Sequence, residues 1–218
     1  MHLTRKNIGN FWPIRRKGTK YIAVSTHDQS ESIPLLVVMR DILHLVQNKK
    51  ELKKLIFEKQ IVINHKEIRE TNFPLLLFDI LSLPLMEKNY KAVLNEHKKM
   101  IFKEVNEKET EKKIFKVIGK KILAGNKVQV NLLHGRNVFL NENVQVDDSV
   151  VYNLKKGAIE KVIKMEKGNH AYVLKGKHSG AEGKIEALIE HGGKKLVRII
   201  SSDKKINVWT KNVIVMEH

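Results

Sequence analysis

Glycines lie among basic side chains in the stretch "GNHAYVLKGKHSGAEGKIEAL", residues 168–188. The basic side chains set between the glycines are Lys175, Lys177, His178 and Lys184. Loops that bind phosphate often combine these residue types, because glycine lets an anion approach backbone amides and lysine supplies charge. The ligand of such a loop is either a nucleotide or a nucleic acid.

The spacing of these glycines excludes both common nucleotide-binding loops. A P-loop reads G-x-x-x-x-G-K-[ST], but six residues separate Gly176 from Gly183, and Ile185 follows Lys184. The dinucleotide fingerprint G-x-G-x-x-G precedes a helix, whereas residues 176–183 read G-x-x-x-G-x-x-G ahead of a predicted strand. The spacing instead predicts strands joined by tight glycine turns that present lysines to a polyanion. A plain hairpin with lysines for solubility is the alternative.

No catalytic or metal-binding pattern is present in the sequence. The chain has 10 histidines without His-x-x-x-His spacing and no cysteine, which excludes thiolate zinc sites, cysteine nucleophiles and disulfides. In "HGRNVFL", residues 134–140, Arg136 precedes Asn137 rather than the Leu-Asp of uridine-isomerising enzymes, so we expect a hairpin turn with an exposed Arg136. We therefore predict no catalytic residue, no metal and no cofactor. For Asp79, within "LFDIL", we expect a buried carboxylate that accepts hydrogen bonds from backbone amides.

The net charge identifies the class of partner. Lys and Arg total 41 against 24 Asp and Glu, a formal charge of +17. This excess indicates a polyanionic partner, with nucleic acid first and an acidic membrane surface second. The sequence contains no apolar run long enough to span a membrane and no apolar core of a secretory signal near its N-terminus, so we expect a cytosolic protein.

The first segment, residues 1–32, is rich in cations. No acid occurs in residues 1–27, and Gly9, Pro13 and Gly18 interrupt any periodicity. We predict an extended arm with little core of its own, with Trp12 and Phe11 available for stacking on bases. A disordered, solvated tail is the alternative. The basic residues of the arm are Arg5, Lys6, Arg15, Arg16, Lys17 and Lys20.

Two helices are predicted next. Residues 33–47 carry an apolar stripe at helical spacing, with Pro34 at the first helical position. A second helix begins after Asn48, with Leu52, Leu55 and Ile56 inward. Its outward face is either a phosphate-tracking surface or an ordinary solvated face. The lysines of that face are Lys49, Lys50, Lys53, Lys54 and Lys59.

The rest of the chain reads mostly as strands. Residues 61–70 predict a hairpin that turns at Asn64-His65, and the apolar run 73–86 predicts buried strand. A short helix and a strand are expected within residues 108–121. Beyond residue 122, short β-rich runs recur with Gly, Asn or Asp between them, which is typical of small all-β barrels.

The order of these motifs carries a family resemblance. The motifs are "HLTR" at 2–5, Trp12, "IPLLVVMRDIL" at 33–43, "KELKKLI" at 50–56, "VIN" at 62–64 followed by Lys66, "FP" and "FDILSL" within 73–83, "LLHGRNV" at 132–138 and "GNHAYVLKGKHSGAEGKI". Over essentially the whole chain this resembles small-subunit ribosomal protein four of the archaeal and eukaryotic type.

The resemblance implies a multi-domain α+β fold. Its parts would be a basic N-terminal arm (1–32), a small α+β S-four-type RNA-binding module (33–86), a central β-rich domain (87–165) and a C-terminal SH3-like β-barrel carrying a KOW motif (166–218). The chain departs from the family at His65 and Leu76, where glycine is usual, and at Asn169, where aspartate is frequent.

The resemblance also implies a structural constituent of the small ribosomal subunit, and not an enzyme. Its partners would be small-subunit ribosomal RNA and neighbouring small-subunit ribosomal proteins in the cytoplasm, with no membrane and no small-molecule substrate. Carried over by position, RNA contacts would come from Arg40, Lys66 and Arg69, besides Lys49, Lys50, Lys53 and Lys54 of the second helix, the arm and the glycine-rich loop. Arg136 is a further expected contact.

Two alternatives stay open. One is a free RNA-binding or transcription-elongation factor with a KOW barrel, although we recognise no acidic or polymerase-facing module. The other is an RNA-modifying enzyme built on the S-four domain, against which the missing aspartate after Arg136 argues.

Overall fold

The computed structural model describes residues 2–140, 144–201 and 204–217. For Asn126 it describes the backbone alone. The chain divides into two compact units, residues 1–111 and residues 112–218. Both units consist mainly of antiparallel strands, and the helices are short and few among the described residues. The expected multi-domain α+β fold is met in its coarse features, since the chain is mostly β-strand with few helices and forms more than one sheet.

The first unit contains a five-stranded antiparallel sheet with strand order β5-β4-β7-β8-β9. The unit also contains two separate two-stranded sheets, β1-β2 and β3-β6. Its described strands are β1 Leu3–Thr4, β2 Tyr21–Ile22, β3 Ile33–Pro34, β4 Val62–Ile63, β5 Lys66–Glu67, β6 Pro74–Leu75, β7 Ile80–Leu83, β8 Lys88–Leu94 and β9 Met100–Glu104.

The first predicted helix is shorter than residues 33–47. Helix α1, Leu35–Val37, continues as a π-helix over Val38–Ile42, where the Leu43 amide donates to the Val38 carbonyl at 2.9 Å. A positive φ of 55° at His44 then ends the helical path. Pro34 lies before the helix in strand β3 and pairs with Pro74, so its placement inside the first turn was wrong. The apolar stripe nevertheless faces the core through Leu35, Val38 and Met39.

The second predicted helix is confirmed. Helix α2, Lys49–Phe57, begins after Asn48, whose side chain accepts hydrogen bonds from the amides of Lys50 and Glu51. Such a cap satisfies donors that the first helical turn leaves free. Leu52 and Ile56 are buried.

The predicted hairpin after α2 is confirmed as the β4–β5 pair. Asn64 and His65 at its turn both have positive φ, 50° and 59°, as a two-residue turn of the I′ type requires. Asn64 donates from its side-chain Nδ2 to Asp79 Oδ1 at 2.7 Å, and Asp79 Oδ2 accepts from the backbone amide of Leu76 at 2.7 Å. Asp79 is therefore the buried amide-capping carboxylate that the sequence predicts.

The N-terminal segment is not a free, extended arm. Strand β1 pairs with β2, and the Met100 amide donates to the Phe11 carbonyl at 2.8 Å. Trp12 is only 2% exposed, so the expectation that its ring is available for stacking on bases was wrong. Lys99 Nζ donates to the carbonyls of Asn10 and Trp12, which fixes the segment to the hairpin of β8 and β9.

Residues 87–111 lie with the first unit in the structure. Strand β8 pairs with β7 along residues 80–83 and with β9 along residues 100–104, so both extend the sheet that contains the β4–β5 hairpin. Helix α3, Glu107–Thr110, follows. The compact unit thus ends after Glu111, whereas the sequence places a boundary at residue 86.

The second unit consists of two five-stranded antiparallel sheets, with strand orders β12-β11-β10-β13-β14 and β18-β17-β16-β15-β19. Each β-rich run predicted beyond residue 122 contains one of these strands. The described strands are β10 Lys112–Ile122, β11 Val128–Leu132, β12 Asn137–Phe139, β13 Ser149–Asn153, β14 Ala158–Ile163, β15 His170–Val173, β16 Glu182–His191, β17 Lys194–Ser201, β18 Lys204–Trp209 and β19 Val213–Met216.

The two sheets of the second unit share an apolar core. Val151 and Ile163 of the first sheet pack in one cluster with Val173, Ile199 and Val215 of the second. A separate cluster under the first sheet includes Phe115, Val130, Leu132 and Tyr152. The shared cluster makes the fold of each sheet depend on the other.

A buried lysine also joins the two sheets. Lys116, on β10, is 3% exposed; its Nζ donates to the carbonyls of Thr210 and Val213 and lies 2.8 Å from Asp147 Oδ1. Burial lowers the pKa of Lys116, and the hydrogen bond with Asp147 opposes that effect. The ammonium donates to carbonyls before β19 and at its start, and so links β10 of one sheet to β19 of the other.

We expect Lys116→Met to lower the free energy of unfolding of the chain by about 3 kcal/mol, because Asp147 loses its buried ion-pair partner and the two carbonyls each lose a donor. Since the folded chain releases this proton at a lower pH than the unfolded chain, wild-type stability should also rise as pH approaches the ordinary value of 10.5. Lys116→Met should not show this rise in stability with pH. Urea unfolding at several pH values measures both effects. Lys121→Met, at an exposed position of the same strand, is the control; equal losses for both variants would contradict the assignment.

Candidate nucleic-acid interface

An open groove of about 980 Å³ lies beside α2 in the first unit. Helix α2 contributes lysines to it, and the chain after β5, from Ile68 to Asn72, lines it as well. Ile56 and Ile68 supply buried apolar surface at its base. The cations that line it are Lys49, Lys53, Lys54, Lys59 and Arg69.

Most of the positive charge in the groove is uncompensated. The carboxylates that line it are Glu67 and Glu70. Lys59 pairs with Glu67 at 3.0 Å, and Lys54 lies 3.9 Å from Glu58. Within the described residues, Lys49, Lys53 and Arg69 form no ion pair. A concave surface of one sign concentrates the field and attracts a polyanion.

The groove brings together predicted residues that are separate in the sequence. Lys49, Lys53 and Lys54 come from the predicted helix face, and Arg69 comes from the hairpin region. Lys50 and Lys66 are exposed but do not line the groove. Arg40 is engaged elsewhere, because its guanidinium binds both carboxylate oxygens of Asp41 at 2.9 and 2.8 Å, and this hydrogen bonding raises its pKa.

One residue of the groove escaped the sequence analysis. Phe57, the last residue of α2, lines the groove and is 89% exposed. The predicted inward and outward faces of the helix both omit it, although its position three residues after Lys54 and four after Lys53 puts it on the basic face. That spacing is the signal that could have identified it.

The basic residues of the N-terminal segment separate into two kinds. Arg5 is structural, because its guanidinium donates to the carbonyls of Thr19 at 2.9 Å and Arg15 at 2.7 Å. The other five predicted residues are exposed. Those exposed cations are Lys6, Arg15, Arg16, Lys17 and Lys20. They form a basic surface on a loop that Arg5 holds closed.

The glycine-rich loop lies between β15 and β16. Gly176 and Gly180 have positive φ, 102° and 86°, as the turn prediction requires. Within the loop, the Gly180 amide donates to the Val173 carbonyl at 2.8 Å and the Ala181 amide donates to the His178 carbonyl at 3.1 Å. These amides are therefore occupied, and an anion would meet the exposed ammonium groups of Lys175, Lys177 and Lys184 instead.

Gly183 has a different role from the turn glycines. It is in β16, and a Cβ there would lie 2.0 Å from the carbonyl oxygen of Ile200 on β17. Glycine is required because the backbones of the two strands approach closely, not because of φ.

Arg136 is not the exposed arginine that the sequence predicts. It follows the turn between β11 and β12, as expected, but its guanidinium lies 4.5 Å from the ring centre of Tyr152 and 5.5 Å from that of Phe115. The side chain is half-buried in a cation–π contact. Its observed role is thus to cover the aromatic core of the second unit.

The described residues contain no group of three or more His, Asp or Glu side chains arranged to hold a metal ion. No helix in the described ranges is long and apolar enough to cross a membrane.

Comparisons with known proteins identify the class of this β-rich basic chain. The family described as "Ribosomal family S4e" matches residues 86–159. The small ribosomal subunit protein eS4 of Methanosphaera stadtmanae is 30% identical over 86% of this chain and 79% of its own length. That of Nanoarchaeum equitans is 29% identical over 98% of this chain and 94% of its own length. The 30S ribosomal protein S4e of Thermoplasma acidophilum has a similar fold, with a TM-score of 0.74, 23% identity and coverage of 86% of this chain and 95% of that chain.

The chain belongs to the ribosomal S4e family. The resemblance drawn from its motifs is therefore confirmed at the level of the family.

Gly183→Ala should lower the free energy of unfolding by about 2 kcal/mol, because the added methyl group pushes β16 away from β17. Urea unfolding of the full chain measures the loss. Gly119→Ala is the matched control within a strand, since the nearest atom to its Cβ is 3.9 Å away. A loss no larger than that of the control would show that the strands separate without cost.

Proposed function

We propose that this chain is a structural constituent of the small ribosomal subunit that binds and organises small-subunit ribosomal RNA through its basic surfaces. One observation carries the proposal: a member of the S4e family has an open groove lined by five cations and two carboxylates. Lysines and arginines that neutralise phosphates release counterions, which supplies sequence-independent affinity. Such a protein supports subunit assembly and translation in the cytoplasm and contacts neighbouring small-subunit proteins. It is not an enzyme.

We assign the groove and its surroundings to an S-four-type RNA-binding module. The two-helix and hairpin arrangement of residues 33–86 supports this assignment, with β8 and β9 added to its sheet. His65 is held at the hairpin turn by a 3.0 Å contact between its Nε2 and the Thr110 carbonyl oxygen. RNA would therefore meet an imidazole at this turn, where the family resemblance leads us to expect a glycine.

We assign the C-terminal sheet, β15 to β19, to an SH3-like barrel with a KOW motif. The five antiparallel strands, the turn glycines and the close β16–β17 approach at Gly183 support the assignment. Lys175, Lys177, His178 and Lys184 would contact phosphate from its first loop. Together with the groove and the exposed cations of the N-terminal loop, this gives three basic surfaces whose relative placement would select folded RNA by shape.

The proposal predicts how salt weakens RNA binding. If about eight phosphates are contacted, log affinity for small-subunit ribosomal RNA should fall with log salt at a slope of about −6 to −7. The double variant Lys49→Gln/Lys53→Gln should reduce the magnitude of that slope by about 2, because two phosphate contacts are lost. Filter binding across a salt series measures it.

A double variant of equal charge change controls for net charge. Lys161 pairs with Glu217 and Lys205 pairs with Glu186, each at 2.7 Å, and neither lysine belongs to the three proposed surfaces. Lys161→Gln/Lys205→Gln should leave the slope nearly unchanged. An equal reduction for both double variants would show that net charge, and not the groove, determines binding.

Incorporation into the subunit is tested by sedimentation of a cell lysate after a high-salt wash. We expect stoichiometric co-migration of the chain with small subunits, since a structural constituent is held by many contacts. Release to the top fractions would overturn the proposal and favour a free RNA-binding factor.

A further inference from the structure

The side chain of Phe57 is not packed into the core of the first unit. It is the most exposed large apolar side chain among the described residues, at 89%, whereas Leu52 and Ile56 of the same helix are buried. Its ring therefore contributes little to the core of the first unit. A single exposed apolar residue is ordinary on a protein surface, but this one lines a groove whose other exposed side chains are mostly cationic.

The neighbours of Phe57 identify the chemistry of an occupant. Lys53 and Lys54 precede it by four and three residues, so their ammonium groups rise from the same face of α2. Arg69 lines the same groove from the chain after β5. An occupant must therefore offer negative charge and a flat apolar face within the same few ångströms, which a nucleotide does through its phosphate and its base.

A base in the interior of a duplex cannot occupy this position. In an RNA duplex the base faces are stacked on one another, and only the edges and the backbone are accessible. An unpaired base in a loop, a bulge or a strand end can turn its face to an aromatic ring. We propose that Phe57 stacks on an unpaired base of the RNA bound in the groove, an inference that rests on the proposed RNA-binding function.

The carboxylates of the groove fit the same occupant. Glu70 Oε2 accepts a hydrogen bond from Thr26 Oγ1 at 2.7 Å, and Glu67 pairs with Lys59. Their remaining oxygens can accept hydrogen bonds from an exocyclic amino group or a 2′-hydroxyl. A continuous run of phosphates would meet these carboxylates unfavourably, so one flipped nucleotide fits better than a duplex backbone.

The test compares single-stranded and duplex RNA on the full chain. Fluorescence anisotropy with a labelled oligoadenylate and with a blunt RNA duplex measures both affinities. Phe57→Ala should weaken oligoadenylate binding by about tenfold, in the range for one base–aromatic stack, and change duplex binding by less than about twofold. The fold should persist, because the truncated side chain is exposed.

Two further substitutions separate stacking from simple apolar contact. Phe57→Trp should retain the affinity for oligoadenylate. The tryptophan fluorescence that this variant gains over the wild-type chain should be quenched when oligoadenylate binds. Phe57→Leu should lose affinity as Phe57→Ala does, because leucine has no π face; recovery by leucine would show apolar packing and overturn the inference. Phe139→Ala, at a phenylalanine that is 63% exposed in the second unit, is the matched control and should bind as wild type.

The outcomes distinguish this inference from the proposed function. Wild-type affinity of Phe57→Ala for oligoadenylate, with a loss in Lys49→Gln/Lys53→Gln, overturns stacking and leaves RNA binding by the groove intact. No loss in either variant overturns both. A wild-type chain that binds the duplex but not oligoadenylate also overturns the inference. Release of a bound protein partner by Phe57→Ala, with RNA affinity unchanged, would assign the ring to a protein contact instead.

Discussion

The excess of positive charge is the constraint on which the structure depends. A chain of net charge +17 folds only if its cations keep their water, find a carboxylate or carbonyl, or rest on an aromatic ring. All three solutions occur. Lysines of α2 stay in water, Lys116 is enclosed by two carbonyls and Asp147, and Arg136 lies over Tyr152. The environment of each cation therefore determines whether that cation is available to a partner.

Cations that hold the fold together are thereby removed from the set that can bind RNA. Arg5 closes the N-terminal loop through the Thr19 and Arg15 carbonyls, and Arg40 is occupied by Asp41. These arginines have planar groups with several donors, which suit them to bridging several acceptors at once. The exposed cations of the groove are instead mostly lysines, which remain hydrated at low cost and can follow a phosphate backbone. Residue type alone does not separate the two sets, because Lys116 and Lys99 also hold the fold, whereas Arg15, Arg16 and Arg69 stay exposed.

Much of the fold follows from local patterns in the sequence. The Asn48 cap, the Asn64-His65 turn and the β-rich runs after residue 122 are read from neighbouring residues, and the structure has them there. The errors arise where distant residues decide. Trp12 is buried because the β8–β9 hairpin holds its segment, and the role of Gly183 depends on the Ile200 carbonyl of the next strand. Arg136 is covered by Tyr152, sixteen residues later. Contacts of this range leave no periodic signal in a single sequence.

The groove shows why the candidate site was only partly predictable. Its lysines were expected because their helical spacing is local, whereas its concavity arises from the chain after β5 packing opposite α2. That packing turns a charged helix face, which by itself would be an ordinary solvated surface, into a lined site. It also changes the meaning of Phe57. At the end of an isolated helix an exposed phenylalanine only costs solubility, but beside Arg69 and the lysines it gives the groove an exposed aromatic face among its cations. As proposed, such a site would recognise a nucleotide by combining two weak attractions, phosphate neutralisation and base stacking.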